Sequence, residues 1–314
     1  MPLDPLVKAF LDQMSAIPAP KMWMLPPSQA RDAFKTTMWF AGPKDVPIGK
    51  IENISIPGPG GPTRLRIYKP IAASAEPLPV LVYFHGGGFV LGDLDTHDGF
   101  CRMFVDDGGF AVIAVDYRLA PEHVYPAAAE DGFAALIWIE QNASDLGIDA
   151  NRIAIGGDSA GGHLTAVLTQ RAKEKGAPKL AYQLMLFPST QFGGDTSSRS
   201  EFSMGYFLDK PTLEWFTDKF LPPGMDFSSP QISPLRAKDF SGLPPAFIMV
   251  AGYDPLHDEG LQYAEKLRAA GVAVTVADYP DMVHCFIYFQ TMLPQAREAV
   301  KKAAQAVKAV LDKA

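Results

Sequence analysis

Two kinds of hydrophobic pattern follow one another along the chain. Ile51 to Ile56 and Arg64 to Tyr68 alternate apolar and polar side chains with the period of half-buried strands. The turn-rich PGPGGP between them predicts an antiparallel hairpin at a sheet edge. Beyond it the strands read differently. Val80–Phe84, Phe110–Val115, Ile153–Ile155, Tyr182–Phe187, Ala246–Val250 and Ala273–Val276 are short apolar runs of the fully buried kind. Helical patterns over Thr96–Val105, Ala127–Gln141, Ala160–Glu174 and Glu259–Ala270 separate most of them. Buried strands alternating with helices predict an α/β fold, a mostly parallel central sheet with helices on both faces.

Two stretches break that rhythm. Residues 1 to 48 hold Met14, Met22, Trp23, Met24, Phe34, Met38, Trp39 and Phe40, interrupted by Pro18, Pro20, Pro26 and Pro27, which fits short helices joined by kinks and loops. Residues 188 to 243 show no buried strand but carry Tyr206, Phe207, Leu208, Leu213, Trp215 and Phe216, and an excursion of that length reads as a helical insertion rather than a loop. Methionine adapts to ligands of varied shape, so besides packing on the body the two segments are expected to form a helical cap over a pocket. The chain then divides into an N-terminal cap part (1–48), a first core part (49–187), an inserted cap segment (188–243) and a second core part (244–314). The closing pattern, Pro294 to Lys313, is that of a solvated amphipathic helix.

With 314 residues, 47% hydrophobic and 20% charged, the chain has the composition of a globular protein with a large core. A net charge of −7 without a basic run argues against nucleic acid or an anionic membrane as the main partner, leaving small neutral or weakly polar ligands. The start, MPLDPLVKAF, lacks a basic end followed by a continuous apolar core, and no run approaches the roughly 18 residues of a membrane span, so a cytoplasmic location is expected. Cys101 and Cys285 are too few for a disulfide framework or an all-cysteine zinc site, and both are expected to be reduced and structural.

Chemistry concentrates in RIAIGGDSAGGHL, Arg152 to Leu164, where a short apolar strand passes through a glycine-flanked serine into a helix. A side chain at the tip of a tight strand-to-helix turn takes strained backbone angles and needs neighbours without bulk, which Gly157 and Gly161 supply around Ser159. That spacing would expose the hydroxyl above the sheet, at the N-terminus of the helix beginning near Ala160. Alone, the motif also fits an ordinary N-cap serine.

Upstream, His85, Gly86, Gly87 and Gly88 follow the strand Val80–Phe84. With Gly92 and Asp116 they resemble a dinucleotide-binding turn, yet the histidine ahead of three consecutive glycines and the preceding hairpin do not suit one. A loop of bare backbone N–H groups that, with Ala160, would make an oxyanion hole suits them better. Six histidines compete as the base for Ser159: His85, His97, His123, His163, His257 and His284. His284 follows the last strand, and Asp254 follows the strand Ala246–Val250; residues just after strand C-terminal ends converge on one crevice of a parallel sheet. Asp254 could therefore fix the imidazole tautomer. Asp258 and Asp281 are competitors, the first better suited to a helix start, and Asp158, beside the nucleophile, should point away from the base.

Taken together, YFHGGGFVLGDLDTHD, VDYRLAPEHVYPAA, GGDSAGGHL, YDPLHDEG and VHCF resemble the bacterial hormone-sensitive-lipase-like esterases, the family IV carboxylesterases of the α/β-hydrolase fold, over nearly all of residues 50 to 314. The order serine, aspartate, histidine is that of α/β-hydrolases. The resemblance implies Ser159 as nucleophile, Asp254 and His284 as its partners, and oxyanion donors from among Gly86, Gly87 and Gly88 together with Ala160, without saying which loop glycines donate. Two residues depart from the family pattern: Cys285 stands where glycine is usual after the histidine, and His257 where arginine is usual after Asp-Pro-Leu. If Cys285 takes a positive φ, its loop is strained. The expectation is a serine carboxylesterase for small uncharged esters with short to medium acyl chains, needing no metal or cofactor; a homodimer rests on family analogy alone. A ligand receptor on the same fold, or an amidase or peptidase using the same triad, are the alternatives.

Overall fold

The computed structural model describes residues 1–72 and 77–313, so the interval 73–76 of the first core part and residue 314 lie outside the described residues. Two helices open the chain, α1 (Pro5–Ala16) and α2 (Pro27–Ala41), linked through a 3-10 turn at Met22–Met24. Asp4 caps α1, its carboxylate accepting from the Leu6 N–H at 2.7 Å, and proline begins both helices, where no N–H is needed. The hairpin follows as β1 (Lys50–Gly58) and β2 (Gly61–Lys69). Its ladder reaches Gly58 opposite Gly61, so the turn is Pro59–Gly60 rather than the whole of PGPGGP.

The first core part continues with β3 (Leu78–Phe84), α3 (Asp98–Gly108), β4 (Ala111–Asp116), α4 (Ala127–Gln141), α5 (Ala143–Leu146), β5 (Ile148–Asp158), α6 (Ala160–Lys175) and β6 (Tyr182–Leu186). Next come α7 (Ser197–Glu201) and α8 (Lys210–Phe220), then β7 (Ala246–Tyr253), α9 (His257–Ala269), β8 (Val274–Val283) and α10 (Pro294–Leu311). Among the described residues, 188–243 is less helical than its aromatic content suggests, with α7, α8 and a 3-10 turn at Pro234–Arg236 set in turns and loops.

Eight strands form one sheet in the order β1-β2-β4-β3-β5-β6-β7-β8. The hairpin and the β2–β4 pair are antiparallel, and every pair from β4 to β8 is parallel. Every residue of β6 and all but one of β3 are buried, which requires cover on both faces. Helices α3 and α10 pack on each other, α4 packs on α6, and α9 lies along β7 and β8. Seven residues on one face of α10 are buried, its polar face remaining in solvent. The C-terminal ends of the parallel strands β3, β5, β6, β7 and β8 thus lie along one edge of the sheet, and the loops that leave them share that rim. No helix among the described residues is long and apolar enough to cross a membrane.

Candidate active site

Ser159 occupies the single residue between β5 and α6, at φ 52° and ψ −112°, a strained conformation for a residue with a Cβ. Its N–H donates to the Leu186 carbonyl at 2.9 Å, so the neighbouring strand fixes the turn. The turn closes only because Gly161 is bare: a Cβ there would lie 1.8 Å from the Phe84 carbonyl oxygen. Sterics that tight leave the serine hydroxyl pointing off the sheet, where it meets His284 Nε2 at 3.0 Å.

His284 stands immediately after β8, and its Nδ1 donates to Asp254 Oδ2 at 2.6 Å. Asp254 follows β7, is fully buried, and accepts the Leu256 N–H on its other oxygen at 2.8 Å. That leaves one oxygen for the imidazole and fixes the tautomer with Nε2 free to face serine. Burial disfavours the imidazolium, but the adjoining Asp254 carboxylate outweighs it and holds the His284 pKa above the ordinary histidine value. Cys285, the next residue, sits at φ 59° with its buried thiol lining the same cavity; burial pushes the thiol pKa up. The positive φ that would strain this loop is therefore present.

Gly87, Gly88 and Ala160 line the cavity beside Ser159. Gly87 (φ 114°) and Gly88 (φ 61°) turn the loop after β3 over Ser159, while Ala160 opens α6 with an N–H that has no partner within the helix. At Gly88 a side chain is excluded on two grounds, the positive φ and the Phe216 ring of α8, 2.3 Å from where a Cβ would stand. Gly86 leaves the donor set. Its N–H donates to Asp158 Oδ1 at 3.1 Å, behind the cavity wall, so it anchors the loop instead of facing substrate.

Asp158 does point away from the base, into a buried cluster that the sequence did not reveal. Tyr83 donates to its Oδ1 at 2.6 Å, Tyr288 to its Oδ2, and His97 Nε2 lies 3.6 Å from Oδ1. Burial works against this carboxylate, yet His97 and the tyrosine hydroxyls more than compensate, and its pKa lies below the ordinary value. The remaining histidines are elsewhere. His85 gives Nδ1 to the Gly86 carbonyl at 2.7 Å and stacks on Tyr117, and His163 uses Nδ1 on the Ser189 carbonyl at 3.0 Å; burial holds both near pKa 4. His123 is exposed, and His257 faces Asp258 and Asp278 at 3.1 and 3.5 Å. Asp258 receives the Ser198 N–H at 3.0 Å in the first turn of α9, and Asp281 lies within β8. Nor do the early glycines form a dinucleotide turn: α3 begins only at Asp98, well after Gly92.

Above the centre lies a cavity of about 510 Å³. The floor is Gly87, Gly88, Ser159, Ala160 and His284, and the roof comes from both flanking segments, including Met14, Ile17 and Met22 from one and Tyr206, Leu213 and Phe216 from the other. Phe220 of α8 stacks on Phe89 of the glycine loop with ring centres 3.8 Å apart. Lys21, Asp209 and Arg199 are the charged residues in this mostly apolar wall, and Arg199 is bonded to the fully buried Glu259.

A family model described as the α/β-hydrolase fold matches residues 81–288. Esterase LipI of Mycobacterium tuberculosis is 43% identical over 265 residues, covering 83% of this chain and 82% of that protein. An ethyl acetate hydrolase from Pseudomonas putida is 36% identical over 322 residues, covering 98% and 99%. Among solved structures, an ester-hydrolase from the metagenome of Lake Arreo, complexed with a bipyridine phosphonate derivative, matches with a TM-score of 0.96 at 40% identity over 98% of each chain. A hyperthermophilic esterase from the archaeon Pyrobaculum calidifontis matches at 0.93 and 40%, covering 98% of this chain and 99% of that one.

Proposed function

Because the chain belongs to the α/β-hydrolase fold family and is a carboxylesterase, we propose that Ser159, His284 and Asp254 carry out its reaction on small uncharged esters with short to medium acyl chains. One observation carries the assignment: the hydrogen-bonded line from Ser159 Oγ to His284 Nε2 at 3.0 Å and from His284 Nδ1 to Asp254 Oδ2 at 2.6 Å, in a cavity that Gly87, Gly88 and Ala160 also line. His284 takes the Ser159 proton as Oγ attacks the ester carbonyl carbon. The N–H groups of Gly87, Gly88 and Ala160 stabilise the oxyanion, and Asp254 stabilises the imidazolium. When the carbon–oxygen bond breaks, His284 returns the proton to the departing alcohol. Water, deprotonated by the same imidazole, then attacks the acyl-enzyme and frees the acid and Ser159.

The apolar cavity supports uncharged substrates, and the relative named ethyl acetate hydrolase supports small ones. A working histidine beside the serine argues against a ligand receptor. Residues 1–48 and 188–243 act jointly as the cap, since both line the cavity. Cytoplasmic residence, supported by two free buried cysteines, and a homodimer, supported by family resemblance alone, belong to the same proposal. Mixing with excess p-nitrophenyl butyrate should release about one p-nitrophenol per enzyme in a burst, and acid quenching should leave a butyryl group on the peptide that contains Ser159. A burst with the acyl group on another residue, or turnover with no acyl-enzyme at all, would overturn the assignment.

A further inference from the structure

We propose that Arg199 is a substrate-recognition residue, a fixed hydrogen-bond donor that makes the cavity select esters carrying a second, uncharged oxygen acceptor in the acyl or alcohol chain. The inference rests on the esterase reading above and names the substrate class it favours. Arg199 lies on α7, and its side chain forms part of the cavity wall. Its Nε and Nη2 donate to Glu259 Oε2 at 3.0 and 2.7 Å, and Nη2 also donates to the Gln191 carbonyl at 3.0 Å. That edge of the guanidinium is fully used. Nη1 has no protein partner among the described residues, although the side chain is 18% exposed while Glu259 is wholly buried. The two N–H groups of Nη1 are therefore what the head group has left for a ligand.

The donor is also immobile. Glu259 Oε1 accepts the N–H groups of Thr190 and Gln191 at 2.7 and 3.3 Å, so the carboxylate cannot follow if Arg199 swings away, and an uncompensated buried charge would result. A donor held in place before substrate arrives loses little freedom on binding. The ligand chemistry follows from charge. Glu259 already neutralises Arg199, so a substrate carboxylate would gain no unpaired charge from this guanidinium, whereas an ether, carbonyl or hydroxyl oxygen needs only the unused N–H groups. Much of the same cavity is lined by apolar side chains, Phe192, Met204 and Phe207 among them, which offer an oxygen no hydrogen bond.

The test walks an oxygen, in place of one methylene at a time, along the acyl chain of p-nitrophenyl heptanoate and along the alkyl chain of hexyl acetate. Each kcat/KM is divided by the ester's hydroxide-catalysed rate, for the native protein, Arg199→Lys and Arg199→Met/Glu259→Gln. The native protein should favour one oxygen position by about tenfold over its neighbours. That peak, taken relative to the plain ester of the same variant, should shrink to within about twofold in the double variant. A flat native profile, or the same peak in both variants, would overturn the proposal. If the double variant does not fold, the native profile and Arg199→Lys, which keeps the ion pair but not the planar fork, decide it. Absence of turnover on every plain ester would instead sink the esterase reading.

Discussion

Replacing Asp158 with asparagine asks whether a buried charge, and not the glycines alone, holds the oxyanion loop. The carboxylate accepts from Tyr83 at 2.6 Å, from the Gly86 N–H at 3.1 Å and from Tyr288, with His97 Nε2 3.6 Å away. An asparagine oxygen could keep Tyr83 and Gly86, but the new NH₂ would face Tyr288, whose hydroxyl would have to accept and turn its proton toward His97 Nε2, 3.3 Å away. A hydrogen bond to a charged group is worth about 1.5–3 kcal/mol and a neutral one about 0.5–1.5. Losing that difference, about 1–1.5 kcal/mol at each of three donors, gives a destabilisation of about 3–4.5 kcal/mol, or a Tm lower by roughly 5–7 °C in a protein of 314 residues.

Activity should fall with stability. Deleting an oxyanion donor costs about 10²–10³ in kcat, so a loop that has slipped part of the way should lose at least about tenfold, with KM little changed. Thermal unfolding followed by near-ultraviolet circular dichroism and p-nitrophenyl butyrate kinetics read the two effects. The stability difference also has a pH signature. Because the folded-state pKa of Asp158 is depressed, its contribution is complete above the unfolded value of about 3.9 and disappears as pH falls through the folded value, so the gap to asparagine should narrow in acid. A variant with native Tm and kcat within twofold would refute the anchoring role; lost stability with unchanged kcat would refute its link to catalysis.

Other perturbations probe the remaining parts. Since Asp254 raises the His284 pKa, kcat/KM should decline with acid along a limb above about pH 6.5; in Asp254→Asn burial is no longer offset by the carboxylate, so the limb should move to lower pH while kcat drops about 10⁴-fold, as a pH–rate profile would read. Gly88→Ala should lower kcat by about 10²–10³, because the new methyl meets Phe216 and the residue must leave φ 61°; native kcat would remove Gly88 from the donors. Cys285→Gly relieves a left-handed residue by about 1–2 kcal/mol but frees the unfolded chain by about 0.4–1 kcal/mol, so urea unfolding should find stability within about 1 kcal/mol of native. A larger loss would show that the thiol's packing dominates.

Much of this arrangement is legible in the sequence, for reasons that differ by element. The central strands betray themselves because both faces are buried and every position must be apolar. β8 does not: beyond Ala277 it contains Asp278, Pro280 and Asp281, tolerable only because β8 is an edge strand, so the apolar run at Ala273–Val276 understates its length. Ser159, Asp254 and His284 can be chosen from chain order because each follows a strand of the parallel sheet. Gly86 cannot be told from Gly87 and Gly88 that way. The difference lies in Asp158, 72 residues on, reaching under the loop. Neither does any local pattern join Arg199 to Glu259, whose contact exists only once α7 lies against α9.

Turnover of p-nitrophenyl butyrate by the native protein and by Ser159→Ala, measured side by side, bears most directly on the central claim. Loss of about 10⁶ in kcat, the scale seen when another triad hydrolase loses its nucleophile, is the predicted result. Undiminished turnover in a folded Ser159→Ala protein would contradict it.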